Sequence, residues 1–528
     1  MRFDIVIEGA LVLDGTGAEG RAADVGVTGE LITAVTPPGG LAGAEAVERI
    51  DAGGHVLSPG FIDLHSHTDF TVQGTPGADA SVAQGVTTLL TGNCGFSPFP
   101  VRDLESAKRT AAFFNDGLAW DWDDLAGYAA SVEASGPAIN LALQVGHGAL
   151  RTAVIGPGER GAEAEDVEAM RGLLATAAEQ GAYGMSTGLI YAPGSYSNAA
   201  EVTSLAAEAA AHGLLYSTHM RSESEHLIEA VGEAIATARA SGVRLEISHL
   251  KAMGRRNHGK VGEALKMIEA ARADGVDVAA DVYPYTASST TLTSRLPGWA
   301  LDGGVGALLE RLGDKETREA IAENLRARMA ADIDSAGVVI ADLPLGRFTE
   351  DVGRSLDEIA GDLGIDPAEA VCEILAAHGG AVSIVNNAMA GADVDEVLAH
   401  PLVSVASDGQ VLRATGPGRP HPRSFGTFVR VLGHYVRERG LLTLPEAVRK
   451  MTGLPAERLG LTGRGRIAEG MVADLAVFDP DTVAERATFT DPWRLATGVR
   501  DVFVAGKAVR RDGEATGERP GRVLRKGQ

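Results

Sequence analysis

The 528-residue sequence contains only two cysteines, Cys94 and Cys372. Two cysteines do not make a disulfide framework, which fits a reducing compartment. No run of about 18 apolar residues occurs, so no membrane-spanning helix is expected. The N-terminal residues also lack the apolar core of a secretory signal. The sequence therefore predicts a cytoplasmic protein.

Positive charge is also scarce. The 47 Lys and Arg residues are outnumbered by 71 Asp and Glu residues, which gives a net charge of −24. This balance argues against nucleic acid as a partner, because phosphate binding needs a basic surface, and it argues against an anionic membrane surface. A small anionic substrate is still allowed, because exposed charges are screened beyond about 10 Å. The oligomeric state stays open.

The two ends of the chain resemble each other and differ from the middle. Short β-rich runs fill the chain to about residue 57 and recur near its end, so we expect one small β-sandwich domain built from residues 1–57 and 463–528. Between them, in residues 58–462, apolar runs alternate with helical stretches rich in Ala, Glu and Leu. The candidate strands are residues 60–65, 87–90, 139–145, 182–186, 214–219, 244–249, 276–282 and 402–406. This pattern predicts an α/β fold, a (β/α)₈ TIM-like barrel.

One stretch of the middle region is longer than a single βα unit needs. Residues 286–346 are therefore interpreted as an insertion in the barrel, and a lid is one role open to it.

Side chains that bind metals stand at the ends of several candidate strands. On a strand, residues i and i+2 face the same side, so His65 and His67 can reach one ion. The other candidates end, or closely follow, the second, fifth, sixth and last strands. Active sites of such barrels lie at the C-terminal ends of the strands, so these side chains are expected to converge. Alone, each would more often be structural; together they predict a metal site. The candidate ligands are His65, His67, Cys94, His219, His249 and Asp408.

Several motifs carry a family resemblance. The segment Gly60-Phe61-Ile62-Asp63-Leu64-His65-Ser66-His67 resembles the signature of the amidohydrolase superfamily. Further segments resemble those of the D-aminoacylases, or N-acyl-D-amino-acid deacylases. They are residues 92–98, 146–151, 186–191, 248–251, 281–289, 407–409 and 421–423. The resemblance implies zinc-dependent hydrolysis of N-acyl-D-amino acids to a D-amino acid and a carboxylate, with a metal-activated water as the nucleophile.

The resemblance also implies roles for the metal-binding residues. A tightly held Zn²⁺ would be bound by Cys94, His219 and His249. A weaker second site would use His65 and His67 and share Cys94, which takes the bridging place that a carboxylated lysine holds in many relatives. Asp408 would be a metal ligand and the general base, and then the general acid.

A second group of residues is expected to bind substrate. By the resemblance, Lys251, Tyr283, Ser289 and Arg423 would hold the substrate carboxylate. A guanidinium can form two parallel hydrogen bonds with a carboxylate, which is the physical reason for Arg423. Tyr191 is a candidate for the pocket wall, and core packing is the alternative interpretation of its ring.

Two other functions stay open at this point. The first is opening of a cyclic amide, as in dihydroorotases and hydantoinases; those enzymes usually carry a bridging lysine, and residues 183–188 contain none. The second is a non-catalytic barrel, which would have lost ligands that this chain keeps. The resemblance implies an acetyl or formyl group as the acyl group. The sequence does not determine the substrate side chain, and a neutral or broad specificity is the favoured interpretation. An acidic side chain would need an additional cation; the insertion offers Arg295, for which a structural role is the alternative.

Overall fold

The computed structural model describes residues 2–111, 114 and 117–527. Its N-terminal strands are β1 (Arg2–Val12), β2 (Arg21–Thr28), β3 (Leu31–Thr36), β4 (Glu45–Asp51) and β5 (Val56–Pro59). Along β1, alternate apolar residues such as Ile5 and Ile7 are buried in a core shared with β2. This period of two is typical of a strand with one face on the core.

Eight strands of the middle region pair in parallel. They are β6 (Phe61–Asp63), β7 (Val86–Thr91), β8 (Asn140–Gly146), β9 (Gly184–Gly188), β10 (Leu215–His219), β11 (Arg244–Ile247), β12 (Val278–Val282) and, after three intervening strands, β16 (Val403–Val405). The last strand returns to the first: Asp408 N donates to His65 O over 2.8 Å, and His67 N donates to Gly409 O over 2.8 Å. The predicted eight-stranded parallel barrel is confirmed.

Helices cover the outside of the barrel. Those before the insertion are α1 (Asp79–Val82), α2 (Leu104–Ala111), α3 (Leu125–Ser135), α4 (His147–Val154), α5 (Ala164–Glu179), α6 (Ala199–Ala211), α7 (Leu227–Ser241) and α8 (Lys260–Ala273). In α7, Leu227, Val231 and Ile235 recur at a spacing of four and are buried, so one face of the helix packs on the barrel. None of the described helices combines the length and apolar character needed to cross a membrane.

The insertion is a separate small unit with its own core. Its strands β13 (Ser288–Thr291), β14 (Val338–Asp342) and β15 (Ser383–Asn386) form an antiparallel sheet in the order β13-β15-β14. Its helices are α9 (Gly304–Gly313), α10 (Lys315–Ala331), α11 (Leu356–Leu363) and α12 (Pro367–His378). The expected span of 286–346 is too short, because β15 is the central strand of this sheet and lies some forty residues further along the chain.

The chain then completes the barrel and the terminal sheet. The remaining helices are α13 (Gly391–Ala399), α14 (Arg423–Arg430), α15 (Leu444–Met451) and α16 (Gly453–Leu459), with a π-helix at Val431–Glu438. Strands β17 (Leu475–Phe478), β18 (Val499–Val504), β19 (Lys507–Arg511) and β20 (Glu514–Ala515) join β1–β5 in one nine-stranded sheet. The predicted β-domain built from both termini is thus present.

The last residues depart from the expected boundary at 463–528. Strand β21 (Val523–Leu524) pairs in parallel with β8 of the barrel. Leu141 N donates to Arg522 O over 3.0 Å, and Lys526 N donates to Gly181 O over 3.0 Å. The end of the chain therefore lies against the barrel, because barrel backbone groups offer it hydrogen bonds.

Candidate metal centre

The thiol of Cys94 lies at the centre of the predicted site. Its Sγ is 3.3 Å from His65 Nε2, 3.4 Å from His249 Nε2 and 3.7 Å from His219 Nδ1. These side chains come from four strand ends of the barrel and are all buried. The order of the ligands around the barrel therefore brings them together as expected from the sequence.

His67 and Asp408 complete the cluster on one side. Asp408 Oδ1 is 3.2 Å from His67 Nε2 and 3.5 Å from His65 Nε2. Burial lowers the pKa values of His65 and His67 to about 4, so both imidazoles are neutral at neutral pH and keep a lone pair for a metal. Burial opposes ionisation of Asp408, but the charge of Arg423 and the hydrogen bond with His67 hold its pKa well below 3.8.

Three of the predicted ligands have a left-handed backbone. The φ angles are +54° at Cys94, +37° at His249 and +51° at Asp408. Such a conformation costs about 1–3 kcal/mol at a non-glycine residue and tends to occur at functional sites. It turns each side chain inward from a strand end. The turn before Cys94 needs glycine, because a Cβ at Gly92 would lie 2.2 Å from Gln144 O.

Glu223, which the sequence analysis did not single out, joins two ligands to a substrate residue. Its Oε1 is 2.8 Å from His249 Nδ1 and 2.5 Å from Lys251 Nζ, and its Oε2 is 3.3 Å from His219 Nε2. A carboxylate that accepts the second N–H of a ligand imidazole fixes its ring and tautomer. In the sequence, Glu223 stands four residues after His219 in a loop, and this position indicates a role at the site only weakly.

Asp281 is a second support that the sequence analysis did not assign. It accepts a hydrogen bond from His249 N over 2.7 Å and lies 3.4 Å from His65 Nδ1. It therefore orients His65 so that Nε2 faces Cys94. The sequence does indicate a special role for this residue, because it is an acidic residue in the apolar strand β12.

The predicted carboxylate-binding residues surround the ring of Tyr283. The Arg423 guanidinium carbon lies 5.2 Å from the ring centroid, and Lys251 Nζ lies 5.6 Å from it. Arg423 Nη1 donates to Asp408 Oδ2 over 2.6 Å, and its Nη2 donates to Ser289 O over 3.2 Å. The Tyr283 hydroxyl is buried and has no hydrogen-bond partner among the described residues. It is therefore available to a ligand.

Tyr191 lies at the wall of the cavity above the metal ligands, which is the position predicted for it as a pocket residue. Its ring centroid is 5.0 Å from that of His219 and 5.1 Å from that of Phe96. Its hydroxyl lies 3.1 Å from Thr290 Oγ1, at the base of the insertion. The ring thus connects the metal ligands with β13.

One cavity of about 440 Å³ contains these groups. It is lined by all the predicted site residues except His65, which is fully buried beneath it. Residues of the inserted unit, among them Thr290, Arg295 and Ser383, form another part of the wall. The volume suits a small molecule.

The donor atoms fit a divalent metal. His65, His67, Cys94 and Asp408 form one buried group, and Cys94, His219 and His249 form a second, each with its donor atoms within 4.8 Å of one another. Nitrogen and sulfur ligands at about 2.0–2.3 Å from Zn²⁺ in a tetrahedral site stand about 3.3–3.8 Å apart. The separations of 3.3–3.7 Å around Cys94 match this spacing. Two cation positions sharing one thiolate are thus compatible with the side chains.

The protein is thus a parallel barrel joined to a β-domain from both termini. It carries a candidate metal site of buried imidazoles, a thiol and a carboxylate at its strand ends. The sequence matches the amidohydrolase family over residues 48–510. It is 38% identical over 522 residues to a D-aminoacylase of Alcaligenes xylosoxydans xylosoxydans, covering 99% of this chain and 97% of the relative. It is 39% identical over 525 residues to an N-acyl-D-glutamate deacylase of the same organism, with the same coverage.

Solved structures agree with these relatives. An N-acyl-D-glutamate deacylase from Bordetella bronchiseptica, complexed with zinc and a phosphonate mimic of the tetrahedral intermediate, is 35% identical with a TM-score of 0.86, covering 99% of this chain and 100% of that one. An L-hydantoinase from Arthrobacter aurescens, 16% identical with a TM-score of 0.58, shares the fold. This chain belongs to the amidohydrolase family, in the group of D-aminoacylases and N-acyl-D-amino-acid deacylases.

Proposed function

We propose that this protein hydrolyses the amide bond of N-acyl-D-amino acids and releases a D-amino acid and a carboxylate. The observation that carries the proposal is the pairing, in one cavity, of a metal-ligand cluster with the cations Arg423 and Lys251. A metal held by this cluster would face an amide carbonyl. The two cations would bind the α-carboxylate next to that carbonyl. The D configuration is proposed from membership of the family.

Zn²⁺ is the metal that the donor set favours, because thiolate and imidazole ligands in tetrahedral spacing are typical of zinc. We assign the tightly held ion to Cys94, His219 and His249, and a weaker one to His65, His67 and Cys94. When bound, Zn²⁺ supplies a Lewis acid for the carbonyl and lowers the pKa of a bound water.

Asp408 is the proposed general base. Its pKa is held well below 3.8, so the carboxylate is ionised and can accept a proton at Oδ1, which faces His65 and His67. It then returns the proton to the leaving nitrogen as general acid.

Arg423 is the proposed anchor for the α-carboxylate. Its guanidinium is held between Asp408 Oδ2 and Ser289 O, beside the unpaired hydroxyl of Tyr283. A substrate carboxylate that takes one face of this guanidinium can also accept from Tyr283 and approach Lys251. The scissile bond, next to the α-carbon, is then placed over the metal ligands.

The test is hydrolysis of matched N-acetyl-D- and N-acetyl-L-amino acids by zinc-loaded protein, with Asp408→Asn alongside. We expect amine release from D-substrates only, and a loss of about 10²–10⁴-fold in kcat in the variant. Zinc content of both proteins is measured, because Asp408 is also a predicted ligand. Zinc-bound wild type that releases no amine from any D-substrate would contradict the proposal, and hydantoin or dihydrouracil hydrolysis by that sample would favour the cyclic-amide alternative.

A further inference from the structure

One buried hydroxyl outside the metal-ligand cluster holds both ends of the turn that carries Cys94, residues 92–95. Ser186, in β9, donates a hydrogen bond from its Oγ to Gly92 O and accepts one from Gly95 N over 2.9 Å. Its side chain is fully buried. A hydroxyl can donate and accept at the same time, so Ser186 closes the turn on either side of the thiol.

Strand β9 and the Cys94 turn are also in close backbone contact. A Cβ at Gly188, two residues after Ser186 and on the same face of the strand, would lie 1.9 Å from Cys94 O. A Cβ at Gly95 would lie 2.7 Å from Gly188 N. Neither position has room for a side chain. The hydroxyl of Ser186 is therefore held directly against the turn.

The turn needs such a support because its backbone is in an unfavourable conformation. The φ angle of Cys94 is +54°, which costs free energy at a non-glycine residue and persists only where the surrounding structure enforces it. Cys94 Sγ is shared by both predicted metal positions. Metal–ligand distances are fixed within about 0.2 Å, so a small rotation of the turn would disturb both positions.

We propose that Ser186 is a positioning residue that fixes the Cys94 thiol between the two metal positions and thereby sets the metal affinity of both. The inference rests on the metal assignment made under the proposed function and does not depend on the substrate. Ser186 acts through the backbone of residues 92 and 95. Loss of its hydroxyl removes one hydrogen bond from each of these residues, and the turn can then relax away from the metal.

The experiment compares wild type with Ser186→Ala. Competition with a chromophoric chelator measures zinc affinity, which we expect to fall about 10- to 100-fold, as for other residues that orient a metal ligand. In cobalt-substituted protein, the thiolate-to-cobalt charge-transfer band reports on Cys94, because Cys372 lies in the core of the inserted unit. We expect this band to weaken or shift. With an N-acetyl-D-amino acid, kcat should fall while KM changes little, because Ser186 lies outside the carboxylate anchor.

Thr187→Val is the matched control. Thr187 is the next residue of β9, is equally buried and donates to Thr218 Oγ1 over 2.8 Å, away from the Cys94 turn. Removing its hydroxyl should leave zinc affinity and the cobalt band as in wild type. Ser186→Thr, which keeps the hydroxyl, is the second variant and should retain most of the affinity even where Ser186→Ala does not fold.

Wild-type zinc affinity and an unchanged cobalt band in folded Ser186→Ala would overturn the inference. An equal loss of affinity in Thr187→Val would also overturn it, and so would a folded Ser186→Thr that binds zinc at least tenfold more weakly than wild type. Absence of the band from cobalt-bound wild type would refute both the assignment of Cys94 as a ligand and this inference. A normal band without amine release from any D-substrate would refute the proposed function and leave this inference supported by the metal measurements.

Discussion

Glu223 is the residue that ties the metal ligands to the substrate anchor. One carboxylate contacts the outer nitrogens of His219 and His249 and the ammonium of Lys251. All four side chains are buried, so the contacts are weakly screened. The position of Lys251 in the cavity is therefore coupled to the orientation of two predicted zinc ligands.

Replacing Glu223 with Gln should weaken metal binding. Gln keeps the shape but loses the charge that orients both imidazoles, and loss of such a partner typically lowers metal affinity about 10- to 100-fold. Competition with a chromophoric chelator measures the affinity. Glu225→Gln is the control, because Glu225 is exposed two residues further on. Equal zinc affinity in both variants would show that Glu223 does not position the ligands.

At the scale of elements, the strand ends were predictable and the loops were not. His65, His67, His219 and His249 follow apolar strands, so the barrel rule placed them at one face. Glu223 lies in an irregular loop whose path depends on tertiary contacts, so no periodicity marked it. The end of the insertion was not predicted for a related reason. Its sheet pairs strands that are distant in sequence, so only contacts between residues far apart in the chain define where the insertion ends.

The inserted unit is expected to govern substrate binding more than metal binding. Leu325 on α10 is fully buried in the core of this unit, so Leu325→Ala should destabilise it by about 2–5 kcal/mol. Because β13 carries Ser289 and precedes Arg295, KM should rise while zinc affinity is kept. Steady-state kinetics and thermal unfolding check this. Leu345→Ala is the control, since Leu345 is 92% exposed. A fall in zinc affinity in Leu325→Ala would contradict the separation of roles.

At the scale of the molecule, a strongly acidic chain places several cationic side chains in one cavity, where Arg423 pairs with Asp408 and Lys251 pairs with Glu223. The net charge is −24, yet the wall of the cavity carries Lys251, Arg295 and Arg423. Composition alone therefore gave an expectation about large partners and said nothing of the site, because local charges decide the binding of a small anion. The barrel itself could be predicted from the alternation of strands and helices, whereas the return of the chain end to β8 could not, because two residues of strand leave no pattern.

Metal removal should lower the stability of the whole barrel. The ligands come from β6, β7, β10, β11 and β16, so one bound cluster ties together strands from all around the barrel. A metal that binds only the folded state stabilises it by RT ln(1 + [L]/Kd), about 4 kcal/mol at a thousandfold excess over Kd. We expect chelation to lower the Tm of wild type by several degrees in calorimetry, and zinc to restore it. In Cys94→Ala, which removes the shared ligand of both groups, chelation should change Tm far less. If chelation and zinc leave the Tm of wild type unchanged, the prediction is contradicted. The strand ends would then be held by the protein's own contacts alone, such as the hydrogen bond from Asp408 N to His65 O.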